Sequence, residues 1–220
     1  MANIKVFCDF DGTITEKDNI ISIMKKFAPP EWAGLKDKVL SQEMSIQEGV
    51  GRMFSLLPST LKEDIIEFIL ENGRIRAGFQ EFVDYLKEEN IPLYIVSGGI
   101  DFFVKPVLEK YGPFEAVFCN ASDFSGEKIN ILWPYSCDDE CKNNCGCCKP
   151  SIMRKLETED AFKIVIGDSV TDLEAAKQAD LVIGRDLLLD KSKEMNLNYR
   201  AFETFYDCIA VLKNINGVRV

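Results

Sequence analysis

Histidine is absent from all 220 residues. That absence removes Ser-His-Asp triads, Cys-His pairs and any histidine-containing zinc site within this chain. Positive charge is also scarce. Lys and Arg number 26 against 36 Asp and Glu, for a net charge of −10. Such a surface repels nucleic-acid backbones, and no basic run offers a local exception, so no nucleic-acid partner is expected. An anionic substrate then needs a locally positive pocket. No apolar run reaches the roughly eighteen residues of a membrane span, so no membrane partner is expected. The N-terminal MANIKVFCDF goes straight into a strand-like run, with no charged n-region or cleavage site. The expectation is a cytoplasmic protein, whose cysteines start as reduced thiols or metal ligands. Nothing in the pattern fixes an oligomeric state.

What is present suits a globular fold. Hydrophobic content is 46% and charged content 28%, enough to bury a core without staples. The length fits one medium α/β domain, or a core of about 150 residues with a smaller insertion. The apolar run 4–7 ends in Cys8-Asp9-Phe10-Asp11-Gly12. Ile20, Ile23, Met24 and Phe27 then recur at helical spacing, closed by Pro29-Pro30. Ser45 with Glu48, and Thr60 with Glu63, form capping-box patterns ahead of further apolar stripes. Residues 18 to about 72 therefore read as helical. After Gly73 the rhythm changes. A helix over 79–89 precedes the strand 93–96, and a helix over 101–111 precedes 116–119. Residues 122–133 suggest a hairpin. A helix from Pro150 leads to 162–166, and a helix over 170–179 leads to 181–183, with two helical stretches last. Buried strands alternating with helices predict an α/β fold with a central parallel sheet covered on both faces.

Three apolar runs end in polar, glycine-containing turns: DFDGT, SGG and GDSVTD. In parallel sheets ligands bind at the C-terminal strand edge. A carboxylate nucleophile is already ionised at neutral pH and needs no base, which suits a chain without histidine. Asp9 and Asp11 fit such chemistry, Gly12 permitting the bend that brings both to one site. The second carboxylic acid can protonate a leaving group and later deprotonate water. Asp168 and Asp172, four apart at a helix start, complete with Asp9 an oxygen-rich cluster suited to Mg²⁺. Ser169 and Asp172 also fit a helix cap. Ser97 and Gly98 offer a hydroxyl and backbone N–H groups to phosphate oxygens. Lys149 can offset the repulsion between a phosphate and a carboxylate.

These four pieces, in this order, resemble the four motifs of the haloacid dehalogenase superfamily. The resemblance covers the whole chain and implies a Rossmann-like three-layer core, residues 1–14 and 74–220, with an all-helical C1-type cap at 15–73. It implies that Asp9 attacks phosphorus to form an aspartyl-phosphate and that Asp11 is the general acid/base. It implies that Asp9, the carbonyl of Asp11 and Asp168 hold Mg²⁺, with Asp172 in or just outside that set, and that Ser97, Gly98 and Lys149 hold the phosphoryl group. An aspartate at position 11 favours the family's phosphatases over its dehalogenase and phosphonatase branches. The segments DNIISIMKKFAPPEWAGLKDKVL, EGVGRMFSLLPS and CGCCKPS narrow the resemblance to phosphatases of a small phosphorylated metabolite. In that reading the cap supplies apolar Met53, Phe54 and Leu57, and Arg52 either contacts substrate or pairs at the surface. Asp18 and Asn19 could reach the site, though N-capping accounts for them too. The alternatives are phosphoserine phosphatase or another phosphomonoesterase, a phosphotransferase, and a non-catalytic phosphate-binding module.

The cysteines remain. Cys8 and Cys119 read as small core hydrophobes, and Cys208 has no evident role. Cys137, Cys141, Cys145, Cys147 and Cys148 fall within twelve residues. Their spacing differs from the paired CxxC of zinc ribbons, so structural Zn²⁺, disulfides and reduced thiols all stay open. The cluster leads directly into Lys149, and a scaffold that fixes where this lysine enters the site is its expected role.

Overall fold

The computed structural model describes residues 3–158 and 160–218. Its centre is a seven-stranded sheet: β1 (Asn3–Cys8), β2 (Leu93–Ile100), β3 (Ala116–Asp123), β4 (Asn130–Leu132), β5 (Ala161–Gly167), β6 (Leu181–Gly184) and β7 (Tyr199–Ala201), in the spatial order β4-β3-β2-β1-β5-β6-β7. All neighbours are parallel except the β3–β4 hairpin at one edge. β1 shows why the strands read as continuous apolar runs. Ile4, Val6 and Cys8 join the apolar cluster on one face, and Phe7 joins a second cluster on the other, with Tyr94, Val96, Met153 and Val165. From Ile4 to Cys8 both faces are buried, so none of these positions tolerates charge without a partner.

Helices supply the outer layers. α5 (Phe79–Glu88) and α10 (Phe205–Val218) pack together on one side, where Phe205 sits against Phe79 and Phe82. α7 (Lys149–Lys155) packs against the short α8 (Leu173–Ala176), and α9 (Asp186–Glu194) lies against β6 and β7. The three-layer Rossmann-like architecture is the one the alternation predicts.

Between β1 and β2 the chain forms α1 (Asn19–Phe27), α2 (Trp32–Leu40), α3 (Ile46–Phe54) and α4 (Lys62–Asn72). Asp18 caps α1 by accepting from the N–H of Ile21, and Ser45 caps α3 by accepting from Glu48. This helical unit rests on α6 (Asp101–Leu108) through α4, and on β4 through α3. Phe54 meets Phe102 edge-on, with ring centroids 6.1 Å apart. Met53, Phe54 and Leu57 are fully or nearly buried in that seam. All three belong to the main apolar cluster that joins the helical unit to the sheet.

Four local readings are corrected. Thr60 does not cap α4: Pro58 bridges to Lys128, and a 3₁₀ turn over Ser59–Leu61 runs directly into the helix. Ser97-Gly98-Gly99 is not a turn after β2 but its bulged end, where the register with β3 shifts between Val96 and Ile100. The helix expected over 170–179 is a 3₁₀ turn (Val170–Asp172) followed by one turn of α8. The side chain of Asp172 reaches back to the N–H groups of Asp168 and Ser169 and holds that first turn tight. β7 separates α9 from α10, a three-residue edge strand too short to show a period.

Candidate active site

The C-terminal ends of β1, β2 and β5 meet the N-terminus of α7, and there the chemistry collects. Lys149, the first residue of α7, extends a buried ammonium to Asp9 Oδ1 at 2.7 Å and to Asp172 Oδ1 at 2.5 Å. Carboxylate oxygens of Asp9, Asp168 and Asp172 all lie within 4.8 Å of one another. Asp172 is fully engaged: Oδ1 faces Lys149, and Oδ2 accepts from two backbone N–H groups. Its position aims the lysine and shapes the 168–172 turn.

The electrostatics follow from one cation among several buried carboxylates. Burial opposes the charge on Lys149, but Asp172 and Asp9 outweigh it and raise its pKa, so the ammonium stays charged. Burial pushes the pKa of Asp9 well up, Asp172 adds to this, and Lys149 only partly offsets both. Asp168 is raised to about 6, chiefly by burial, against a 2.7 Å hydrogen bond from Thr13 Oγ1. The cluster is thus short of positive charge. A hard divalent cation on this oxygen-only donor set would relieve that deficit, so the residues fit Mg²⁺.

Asp11 occupies a different environment. Its Oδ1 accepts from both the backbone N–H (3.0 Å) and the side-chain Nδ2 (2.7 Å) of Asn19, the first residue of α1. Its Oδ2 faces Gly99, where a Cβ would come within 2.8 Å of it. One oxygen is anchored, and the other points toward the Ser97–Gly99 bulge. Burial, then the charge of Asp18, raise this carboxyl to about 7 against the Asn19 hydrogen bonds. A group poised there can give a proton and take it back. Ser97 Oγ is buried and accepts from the N–H of Gly99 at 2.9 Å, so its own proton remains to be donated. Asn120 on β3 donates to the carbonyl of Gly98 at 2.8 Å and holds the bulge from behind.

The DFDGT turn is held as closely. Gly12 has φ +80°, and a Cβ there would lie 2.4 Å from Asp168 Oδ2. Only glycine lets β1 and the 168–172 turn approach so near. Arg76, buried beneath, donates Nε to the carbonyl of Thr13 (2.8 Å) and NH2 to that of Gly12 (2.7 Å), and lies over the ring of Phe202.

The structure therefore brings together Asp9, Asp11, Ser97, Gly98, Lys149, Asp168 and Asp172. It does not bring Arg52 to them. Arg52 lies on α3 with its side chain 57% exposed and paired to Glu48 at 2.7 Å, an i,i+4 surface pair beside a groove shared with Trp133 and Asn144. Arg76 and Asn120 carry no residue-type signal in the sequence, because each acts on backbone carbonyls distant in the chain. The sequence offers Asn19 as a residue at the cap's entrance or as part of a helix N-cap. Its pairing with Asp11, eight residues earlier, has no signal beyond nearness in sequence.

The chain is similar along nearly its whole length to known proteins. The pattern of the haloacid dehalogenase-like hydrolases matches residues 6–177. The 2-hydroxy-3-keto-5-methylthiopentenyl-1-phosphate phosphatase of Geobacillus kaustophilus (strain HTA426) is 61% identical over 213 residues, covering 97% of each chain. The protein of the same name from Bacillus mycoides (strain KBAB4) is 54% identical over 218 residues, covering 99% of this chain and all of its own. Among solved structures, a phospho-aspartyl intermediate analogue of phosphoserine phosphatase superposes with a TM-score of 0.70 at 21% identity, covering 97% of this chain and 98% of its own. Phosphoserine phosphatase from T. onnurineus gives 0.72 at 16% identity, covering 97% and 96%. At such identities the last two speak for the fold.

Proposed function

Because the chain belongs to the haloacid dehalogenase-like hydrolases, we propose that it is a phosphatase that removes the phosphoryl group of 2-hydroxy-3-keto-5-methylthiopentenyl 1-phosphate in methionine salvage. The observation that carries the chemistry is the pairing of two unlike carboxylates on one turn. Asp9 is held against a lysine, and Asp11 has one oxygen anchored and one facing the Ser97–Gly99 bulge. The identity and coverage of the curated relatives carry the substrate.

Asp9 is the nucleophile. Its Oδ1 is fixed by Lys149 and by the N–H of Phe10 at 2.7 Å, so Oδ2 is the oxygen to attack phosphorus. Lys149 offsets the repulsion between carboxylate and phosphate. Ser97 donates its hydroxyl proton, and Gly98 its backbone N–H, to phosphoryl oxygens. Asp11, protonated, delivers its proton to the departing oxygen and, once ionised, takes one from the water that cleaves the aspartyl-phosphate. Asp9, Asp168 and the carbonyl of Asp11 are the groups that would hold Mg²⁺, with Asp172 beside them orienting Lys149. The metal, when bound, supplies neutralisation of phosphoryl charge. Residues 15–73 form the cap domain over a core of 1–14 and 74–220. The antiparallel bridge between Thr15 and Ile75, where the helical unit leaves and rejoins the core, supports that division.

The test is Mg²⁺-dependent phosphate release from the enolphosphate, with Asp9→Asn as the control. Turnover should vanish in the variant while its circular dichroism is unchanged. A much higher kcat/KM on phosphoserine would sink the substrate assignment. Retained turnover in Asp9→Asn would sink the mechanism.

A further inference from the structure

Eight cysteines divide cleanly by their surroundings. Cys8, Cys119 and Cys208 belong to the main apolar cluster, and Cys147 belongs to the second, with Phe7, Val96 and Met153. Cys137, Cys141, Cys145 and Cys148 belong to neither. Their sulfurs instead lie within 4.8 Å of one another, and Cys141 and Cys148 are buried. Once Cys147 is assigned to the core, the irregular run resolves into C-x3-C-x3-C-x2-C.

The sulfur spacing suits a tetrahedral thiolate set. At a Zn–S distance of about 2.3 Å, tetrahedral sulfurs stand about 3.8 Å apart. Cys141 Sγ and Cys145 Sγ are separated by 3.8 Å. Two of the sulfurs also accept hydrogen bonds, as thiolates do. Cys137 Sγ takes the backbone N–H of Cys145 at 3.5 Å, and Cys148 Sγ takes the hydroxyl of Ser151 at 2.9 Å. Asn144 (φ 49°) and Gly146 (φ 81°) reverse the chain on either side of Cys145. The N–H of Cys148 bonds to the carbonyl of Tyr135 at 2.8 Å and closes the loop. Arg154 grips the carboxylate of Asp138, next to Cys137, through both Nε and NH2.

We propose that Cys137, Cys141, Cys145 and Cys148 hold one structural Zn²⁺ as four thiolates. Four soft sulfur donors select Zn²⁺ over the hard Mg²⁺ of the carboxylate cluster, and the closed donor set leaves no position for chemistry. Binding releases the thiol protons it displaces to solvent. The site also has two neighbours of consequence. Lys149 follows the last ligand directly, and the carbonyl of Asn144 accepts from the N–H of Gln47 at the start of α3 at 3.1 Å. One ion would therefore fix the entry of Lys149 and tether the loop to the helical unit. The inference does not depend on which phosphate ester is cleaved.

Elemental analysis of full-length protein purified under reducing conditions without chelator should find one zinc per chain. Reduced protein stripped of metal and given Co²⁺ should develop thiolate-to-cobalt charge-transfer and tetrahedral d–d bands. Cys141→Ser and Cys145→Ser should weaken zinc affinity by more than the roughly tenfold lost when a mere partner of a ligand is removed, while Cys147→Ser should retain one zinc. Mg²⁺-dependent phosphate release, measured on the same samples, reports separately on the phosphatase. Failure of reduced protein to take up zinc or cobalt, iron in place of zinc, disulfides among these four residues, or zinc lost equally in Cys147→Ser would each overturn the assignment.

Discussion

Lys149 and Asp9 meet at 2.7 Å in the protein interior, and the same ammonium also bridges to Asp172. Two carboxylates and one cation form a unit that cannot lose its cation cheaply. Lys149→Met should abolish turnover and leave two buried carboxylates facing each other. Breaking a buried pair costs about 3–5 kcal/mol, which for a chain of this length lowers Tm by roughly 2–4 °C per kcal/mol. Thermal melts without divalent cation measure this. Added Mg²⁺ should restore part of the lost Tm but none of the turnover. A variant as stable as the parent without cation would contradict the charge accounting.

The raised carboxyl of Asp11 sets a pH limb. Its acid form is present below about pH 7 and is lost as pH rises through that value. The step that needs the proton should slow accordingly. Asn19→Ala removes a hydrogen bond that favours the ionised form, so the limb should move to higher pH. Asp18→Asn removes a neighbouring negative charge, the largest influence on Asp11 after burial, so the limb should move to lower pH. Profiles of log kcat/KM against pH that coincide for all three proteins would refute the assignment.

Gly12 tests the close approach of the β1 and β5 turns. Gly12→Ala combines an unfavourable positive φ with a Cβ placed 2.4 Å from Asp168 Oδ2. Asp168 must move, so apparent Mg²⁺ affinity should fall at least about tenfold. Titration of activity against Mg²⁺ reads this directly, and an unchanged half-saturation point would count against Asp168 as a ligand.

Arg76 should behave as a positioning residue. Arg76→Lys keeps the charge but cannot serve both carbonyls of Gly12 and Thr13, because an ammonium lacks the planar fork. One buried carbonyl loses its partner, at a cost of about 1–3 kcal/mol. The expected pattern is a lower kcat with little change in KM, since the turn carrying Asp11 is loosened while the phosphate contacts remain. A rise in KM alone would place Arg76 in substrate binding instead.

Local pattern was sufficient for much of the outcome. Runs of apolar residues buried on both faces can form only inner strands of a covered sheet, and the helices between them follow from a 3.6-residue stripe. DFDGT and GDSVTD could be read because their chemistry is held in residue type and spacing over a few positions, whereas Lys149 stood out only through the resemblance that joins it to them. Tertiary structure alone separated Cys147 from its four neighbours, placed Arg52 at the surface, set Phe54 against Phe102, and set Arg76 beneath the DFDGT turn. Each of those outcomes depends on what a side chain meets from a distant part of the chain. Arg76 bonds to carbonyls more than sixty positions away, and the fate of a cysteine depends on whether apolar side chains or other sulfurs surround it. A local period carries no record of either, since packing decides both only when the elements come together.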